Sequence, residues 1–380
     1  MSGGEAPGYG SAPDPGIKPP SGHWRRSRGG RRKLSKHPKR RRRILISFAV
    51  VVALIVSATG ITYAVLAARI QTFDPAGLDP NRPKNNQAMD ILLIGTDARG
   101  GENSKLGGSG DLIGRSDTTI LVHIYPDGKT AVAVSIPRDS LVTIPKCKLP
   151  DGSWTAPQYD TMFNAAFSVG LTRAGNPTCT ENTVEKMTGL RIDHTMVINF
   201  AGFAKMSKAV GGVPVCLPTD VYQGDLDPNL HEQGKLIFKA GRQLVSGAQA
   251  LDYVRVRHGL GDGSDIGRIQ RQQAFLASMV TTIEKKGLEP SHILPLVKSA
   301  TASITFDSDL NSPTKLLTFA KKLSTLSTND IDFVTVPWRY DGARVAIVHP
   351  DADELWAALR HNRPLTTKKD ASALARGTGR

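Results

Sequence analysis

The sequence predicts an α/β domain, one central mixed sheet flanked by helices, preceded by a single transmembrane helix. Three observations carry this. Apolar β-rich runs are interspersed with amphipathic helical patterns from residue 88 to 362, the element order that builds one sheet covered by helices. Ile44 to Ala68 contains no charged residue, and a bilayer core takes about 20 apolar residues in a helix. Apolar content of 39% is near the globular norm, so most of the chain can bury a core.

Residues 1–43 are rich in Gly, Pro, Ser and Arg and have almost nothing apolar to bury, so they are expected to be a disordered basic tail. They hold thirteen of the 49 Lys and Arg residues against only Glu5 and Asp14, so most of the net charge of +15 belongs to this tail. The tail precedes the apolar run 44–68, and the positive-inside rule then puts the N-terminus in the cytoplasm and the rest outside, a single-pass type II topology in the cell membrane. Orientation and attraction to anionic headgroups explain the basic run without nucleic acid, and no helix-turn-helix fits in residues 1–43 to make a membrane-bound regulator. Residues 69–87 form a Pro- and Asn-rich stem, and 363–380 a flexible C-terminal tail.

Within 88–362, "MDILLIGTDARG" reads as a buried strand, Ile91 to Ile94, ending at an acidic turn. The glycine-rich "GGENSKLGGSGDLIG" that follows lacks the order of a Walker A loop and is expected to be a lid beside the site. Thr118–Ile124 and Ala131–Ile136 form a hairpin across "YPDGK". Helices are expected over Asp160–Val169, Thr180–Met187, Phe200–Val210 and Ser246–Arg257, and in "DIGRIQRQQAFLASMVTTIEKKG". "VPVCLP", "IDFVTVPW" and "ARVAIVHP" read as strands, and "SPTKLLTFAKKLSTL" and "DADELWAALRH" as helices. Cys147 and Cys179 flank a loop-rich stretch and are expected to pair, although spacing alone leaves the connectivity open, and Cys216 reads as a buried free thiol. Phe200, Phe203 and Met206 are read chiefly as ordinary core, with a lipid pocket as the alternative.

Chemistry concentrates in arginines and aspartates at element ends. Asp97 and Arg99 close the first strand; Arg115 and Asp117 precede the hairpin and Arg138 and Asp139 follow it. Arg255, Arg257, Asp265, Arg268, Arg271 and Gln272 crowd "YVRVRHGLGDGSDIGRIQRQQ", and Arg268, Arg271 and Gln272 share a helix face. Guanidinium groups suit phosphate oxygens, and carboxylates beside a phosphate require a cation, for which Mg²⁺ is the usual bridge. Asp97 and Asp117 are therefore the expected Mg²⁺ ligands. No GxSxG, HExxH or Walker A spacing occurs, His123 and His194 show no triad or metal pattern, and Ser135 lies in a strand with no evident base.

"DILLIGTDARG", "GRSDTTILVHI", "VSIPRDSLVTIP", "MTGLRIDH", "GGVPVCLP" and "ALDYVRVRHGLGDGSDIGRIQRQQAFL" together resemble the LytR-CpsA-Psr family, in its actinobacterial form. The resemblance implies a single catalytic domain over 88–362 that transfers a glycopolymer from a polyprenyl-pyrophosphate carrier to the C6 hydroxyl of muramic acid in peptidoglycan, forming a phosphodiester. It implies Mg²⁺ on Asp97 and Asp117, and pyrophosphate binding by Arg115, Arg138, Arg255, Arg257, Arg268 and Arg271 with Gln272 as polar partner. Asp97, Asp117, Arg138 and Arg271 are the expected catalytic residues, and Arg99 a further substrate contact. Asp97 or Asp117 is the candidate general base, Asp265 a weaker one. A polyprenyl-pyrophosphate pyrophosphatase or a lipid-binding sensor would use the same residues and is the alternative.

Overall fold

A computed structural model describes residues 38–98, 114–172, 174–226, 230, 232–256, 265–287, 290–342 and 344–365. The chain divides into residues 1–57 and 58–380. Helix α1 covers Pro38–Ala67, and its stretch Ile46–Ala67 is long and apolar enough to cross a membrane. The helix therefore begins six residues before the expected boundary at 44, inside the basic run. Lys and Arg are good helix formers, so the apolar helix propagates back through them.

Among the described residues, seven strands form one mixed sheet: β1 Gln71–Thr72, β2 Met89–Thr96, β3 Ser116–Ile124, β4 Ala131–Ile136, β5 His194–Asn199, β6 Ile304–Phe306 and β7 Ile331–Thr335. Their order is β1-β6-β5-β2-β3-β4-β7. β2 is central and almost wholly apolar because both its faces are covered. Leu92 and Ile94 belong to a cluster with Leu121, Val134, Phe163 and Trp356. Ile91 belongs to another with Ile124, Phe306 and Phe319, as successive side chains of a strand must point to opposite faces. The β3–β4 hairpin closes through Gly128, whose N–H donates to the Tyr125 carbonyl at 2.9 Å and whose φ of 65° favours glycine.

Among the described residues, the longer helices after α1 are, in chain order, α2 Pro177–Thr188, α3 Phe200–Ala209, α4 Ala248–Arg255, α5 Asp265–Lys286, α6 Pro290–Thr301, α7 Pro313–Leu323 and α8 Asp351–Arg360. Asn176 caps α2 by accepting from the Cys179 N–H at 3.0 Å, and Asn199 caps α3 by accepting from Gly202 at 2.8 Å. α3, α4 and α5 pack with the antiparallel strand pair Val213–Leu217/Gly241–Val245 into a separate apolar cluster around Phe275 and Tyr253.

Several sequence expectations change. Asp160–Val169 is not a helix: Gln158–Met162 is a strand paired with Leu141–Ile144, and only Ala165–Ser168 is helical. The pairing partner outweighs local propensity there. The segment before Arg257 contributes strand Gly241–Val245, so α4 starts at Ala248. Among the described residues, four two-stranded sheets accompany the main one. Cys216 is exposed, not buried: Val213, Val215 and Leu217 take the inward positions of their strand, which turns Cys216 outward. Cys147 and Cys179 form the disulfide.

The stem is docked. Arg82 donates to Glu181 at 2.7 Å and to Glu185 at 2.6 Å, both carboxylates lying on one face of α2. Burial pushes the Glu181 carboxyl up to about 7, against the Thr195 hydrogen bond and the Arg82 charge. A second buried pair, Asp90 with His123 at 2.8 Å, spans β2 and β3 inside the sheet.

Candidate active site

β2 and β3 lie antiparallel, and the register breaks at their site end: Gly95 pairs with Thr118 but Thr96 with Ser116, which leaves Asp117 as the extra residue of a β-bulge. The bulge aims neighbouring side chains the same way, and both Asp117 and Thr118 line one cavity. Gly114 is needed at the entry to β3, because a Cβ there would meet Thr96 Oγ1 at 2.4 Å and the Ala98 Cα at 2.6 Å. The closeness lets the Arg115 N–H donate to Asp97 Oδ1 at 2.7 Å and the Asp97 N–H to the Arg115 carbonyl at 3.3 Å. Asp97 and Asp117 therefore belong to one strand pair at the same sheet end.

Arg138, just beyond β4, donates from Nη1 to Asp117 Oδ1 at 2.7 Å and lies 3.5 Å from Asp139 through Nε. Arg268, 4% exposed, places Nη2 3.5 Å from the Asp117 carbonyl oxygen. Arg271 donates to the Val256 carbonyl, beside Arg255 in the chain. The Arg255 guanidinium stacks 4.5 Å above the centroid of Phe200, a contact worth about 0.5–1 kcal/mol at an exposed site. Gln272 is fixed between elements: it accepts from Thr118 Oγ1 at 2.9 Å and donates to the Val254 carbonyl at 3.4 Å. Gln273, buried, donates to Ser135 Oγ at 2.8 Å and to the Val334 carbonyl at 3.0 Å. It docks α5 on the sheet and gives Ser135 a structural partner.

Asp117, Arg255, Arg268 and Gln272 stand on a cavity of about 220 Å³ whose remaining lining is mostly apolar: Leu93, Ile120, Met196, Phe200, Phe203, Met206, Phe275, Leu276 and Met279 among others. Phe200, Phe203 and Met206 thus line a cavity where ordinary core was the favoured expectation. The reason is that α3 is one wall of the space between sheet and helices rather than a helix packed flush on it. Asp97, Arg115, Arg138 and Arg271 do not line it; the Arg115 side chain is exposed. Arg99 and Arg257, the glycine-rich segment up to residue 113, and the Asp265 side chain lie outside the described residues.

Sequence reading missed the bulge at Asp117, and with it Thr118. It also missed Thr96 and Asn199, which line this cavity at the ends of β2 and β5. The strand-end position of Asn199 before a helical pattern was the available signal. Asp117, Arg255, Arg268 and Gln272 thus give a mostly apolar cavity a charged and polar part of its lining.

The chain belongs to the LytR_cpsA_psr family, whose model matches residues 54–361. It is 36% identical over 229 residues to the probable cell wall biosynthesis protein LcpB of Corynebacterium glutamicum, covering 58% of this chain and 49% of that one. It is 29% identical over 247 residues to the polyisoprenyl-teichoic acid–peptidoglycan teichoic acid transferase TagV of Bacillus subtilis, covering 63% of this chain and 57% of that one. The chain thus spans about half the length of these curated relatives. The fold is shared with the crystal structure of B. subtilis TagV (TM-score 0.53, 23% identity, 73% of this chain and 98% of that one). It is also shared with a LytR-Csp2A-Psr enzyme from Actinomyces oris (TM-score 0.56, 19% identity, 76% and 95%).

Proposed function

We propose that this chain is a membrane-anchored phosphotransferase that moves a glycopolymer from a polyprenyl-pyrophosphate carrier to peptidoglycan, with its folded domain outside the membrane. The observation that carries the reading is the cavity itself. Its apolar body suits a prenyl chain, and Asp117, Arg255, Arg268 and Gln272 stand at its polar end. Similarity to polyisoprenyl-teichoic acid–peptidoglycan teichoic acid transferases supports the same reaction class.

The route of the chain supports it too. Three residues, 68–70, separate α1 from β1, so Gln71 lies within about 15 Å of the helix end. The registers Gln71↔Thr305, Thr305↔Val197 and Ile94↔Val197 put Gln71 in the same row as Ile94. β1 runs antiparallel to β2, so the chain enters from the sheet end that bears Asp97. The basic cluster before α1 favours a cytoplasmic N-terminus.

In the reaction, an acceptor hydroxyl attacks the sugar-linked phosphorus. A new P–O bond forms, the bridging P–O bond breaks, and polyprenyl phosphate leaves. A carboxylate, Asp97 or Asp117, takes the hydroxyl proton. Arg255 and Arg268 hold the pyrophosphate, Arg138 fixes the Asp117 carboxylate, and Arg271 holds the chain beside Arg255. Asp97 and Asp117 form a two-carboxylate donor set, which fits Mg²⁺, an ion that takes one or two carboxylates with substrate phosphates. No cluster of three or more His, Cys, Asp or Glu that would suit a closed metal cage occurs among the described residues. Bound there, Mg²⁺ would supply charge neutralisation at the phosphates.

Full-length protein in nanodiscs, given a polyprenyl-pyrophosphate-linked glycan and peptidoglycan, is expected to yield glycan covalently bound to peptidoglycan. Release of phosphate or polyprenyl phosphate without a bound product would instead make it a pyrophosphatase.

A further inference from the structure

A second cavity of about 880 Å³ adjoins the first, and Thr96 and Asn199 line both. Its character is different. Thr72, Asn176, Thr178, Ser303 and Thr305 give it hydroxyl and amide groups, and Lys148 adds a cation. Asp74 and Asp151 stand on it as well, but each accepts from its own turn, at the Ala76 N–H (2.9 Å) and at Ser153 Oγ (2.6 Å). These groups, set among apolar residues such as Phe73, Val169 and Ala201, match the hydroxyls, acetamido groups and carboxylates of a sugar chain together with its apolar ring faces.

The wall is built to hold its shape. The turn after Cys147 and the start of α2 are joined by the Cys147–Cys179 disulfide, and Asn176 Nδ2 donates to the Lys148 carbonyl at 3.0 Å and the Val169 carbonyl at 3.2 Å. A preformed site avoids the ordering cost of binding a flexible polymer.

In-line displacement decides which sugar chain belongs here. The nucleophile must approach the phosphorus opposite the leaving oxygen. On the transferase reading the leaving polyprenyl phosphate lies in the apolar cavity, and the polar cavity that meets it at Thr96 and Asn199 is the space left for the attacking hydroxyl. We propose that this cavity is the acceptor subsite, which takes a glycan strand of N-acetylated, carboxylate-bearing sugars and presents its hydroxyl beside Thr96 and Asn199. The proposal rests on the transferase reading above.

Ala174 and Ala302 are exposed residues of the lining, contributed by segments far apart in the chain, so Ala174→Trp and Ala302→Trp narrow the cavity without touching the core. The test uses full-length protein in nanodiscs and three probes: an uncrosslinked peptidoglycan oligosaccharide, sugar-free polyprenyl pyrophosphate, and the sugar-linked donor. Both variants are expected to melt with the wild type and bind polyprenyl pyrophosphate equally, while oligosaccharide affinity falls about tenfold or more. Oligosaccharide binding that is unchanged in both variants overturns the proposal. So does a wild type that binds polyprenyl pyrophosphate but no oligosaccharide, and this outcome leaves the transferase reading standing on its donor side. Selective loss of the sugar-linked donor overturns it in favour of the donor glycan. A wild type that binds oligosaccharide but not polyprenyl pyrophosphate sinks the transferase reading, and the acceptor role with it.

Discussion

Arg138 Nη1 lies 2.7 Å from Asp117 Oδ1, and Asp117 is the bulged residue of β3. Both side chains are 19% exposed, so the pair is neither a solvated surface contact nor a buried one. Pairs near the surface contribute little stability. Its consequence is geometric: Asp117 lines the cavity, and Arg138 holds one of its oxygens. Arg138→Lys keeps the charge but loses the planar fork. Transfer is expected to fall about a hundredfold, as when one electrostatic donor is lost from an active site, while the melting temperature changes little. Steady-state assays alongside thermal denaturation check this.

On the proposed mechanism, Asp97 and Asp117 hold Mg²⁺ and activity depends on it. Chelation is expected to abolish transfer and added Mg²⁺ to restore it. Asp97→Asn and Asp117→Asn should each shift the half-saturating Mg²⁺ concentration upward by about tenfold or more. Titration of the initial rate with Mg²⁺ reads this shift directly, and unchanged curves would remove both aspartates from the metal site.

Removing the disulfide by the double substitution Cys147→Ser and Cys179→Ser frees a 32-residue separation in the unfolded chain. The loop-entropy relation gives a loss of about 3–4 kcal/mol. Urea unfolding of the two proteins measures it.

Glu181 predicts a pH dependence. Its carboxyl is raised from 4.5 to about 7 by burial, so the folded state favours the protonated form. The stability this group contributes is fully present below pH 4.5 and is lost as pH rises through about 7. The decline is at most about 1.4 kcal/mol per pH unit within that window. Glu181→Gln, which keeps a hydrogen-bonding group and removes the titration, should flatten the slope. Denaturation midpoints at pH 5 and pH 7.5 for both proteins test it. Arg82→Ala should lower stability at every pH, because Glu185 would lose its partner too.

Much of this was legible in the residues. The apolar run of β2, the YPDGK turn and the clustering of arginines at element ends point to the sheet, the hairpin and the group of arginines near Asp117. These signals are local. What stayed hidden depends on contacts between distant segments. The strand Gln158–Met162 exists because Leu141–Ile144 offers it a partner. The bulge at Asp117 arises where β2 and β3 fall out of register, and a one-residue slip leaves no mark in either strand alone. Phe203 and Met206 have the same spacing whether α3 packs tightly or walls a cavity. The docking of Arg82 joins the stem to a helix about a hundred residues away.

The central claim is that the apolar cavity holds a prenyl chain and the arginines at its mouth hold the pyrophosphate. A crystal structure of the protein with sugar-free polyprenyl pyrophosphate and Mg²⁺ tests it most directly. The account predicts the tail between Phe203, Met206 and Phe275, with phosphate oxygens within hydrogen-bond distance of Arg255 and Arg268. A tail bound elsewhere, with the cavity still empty and those guanidinium groups away from phosphate, would contradict it.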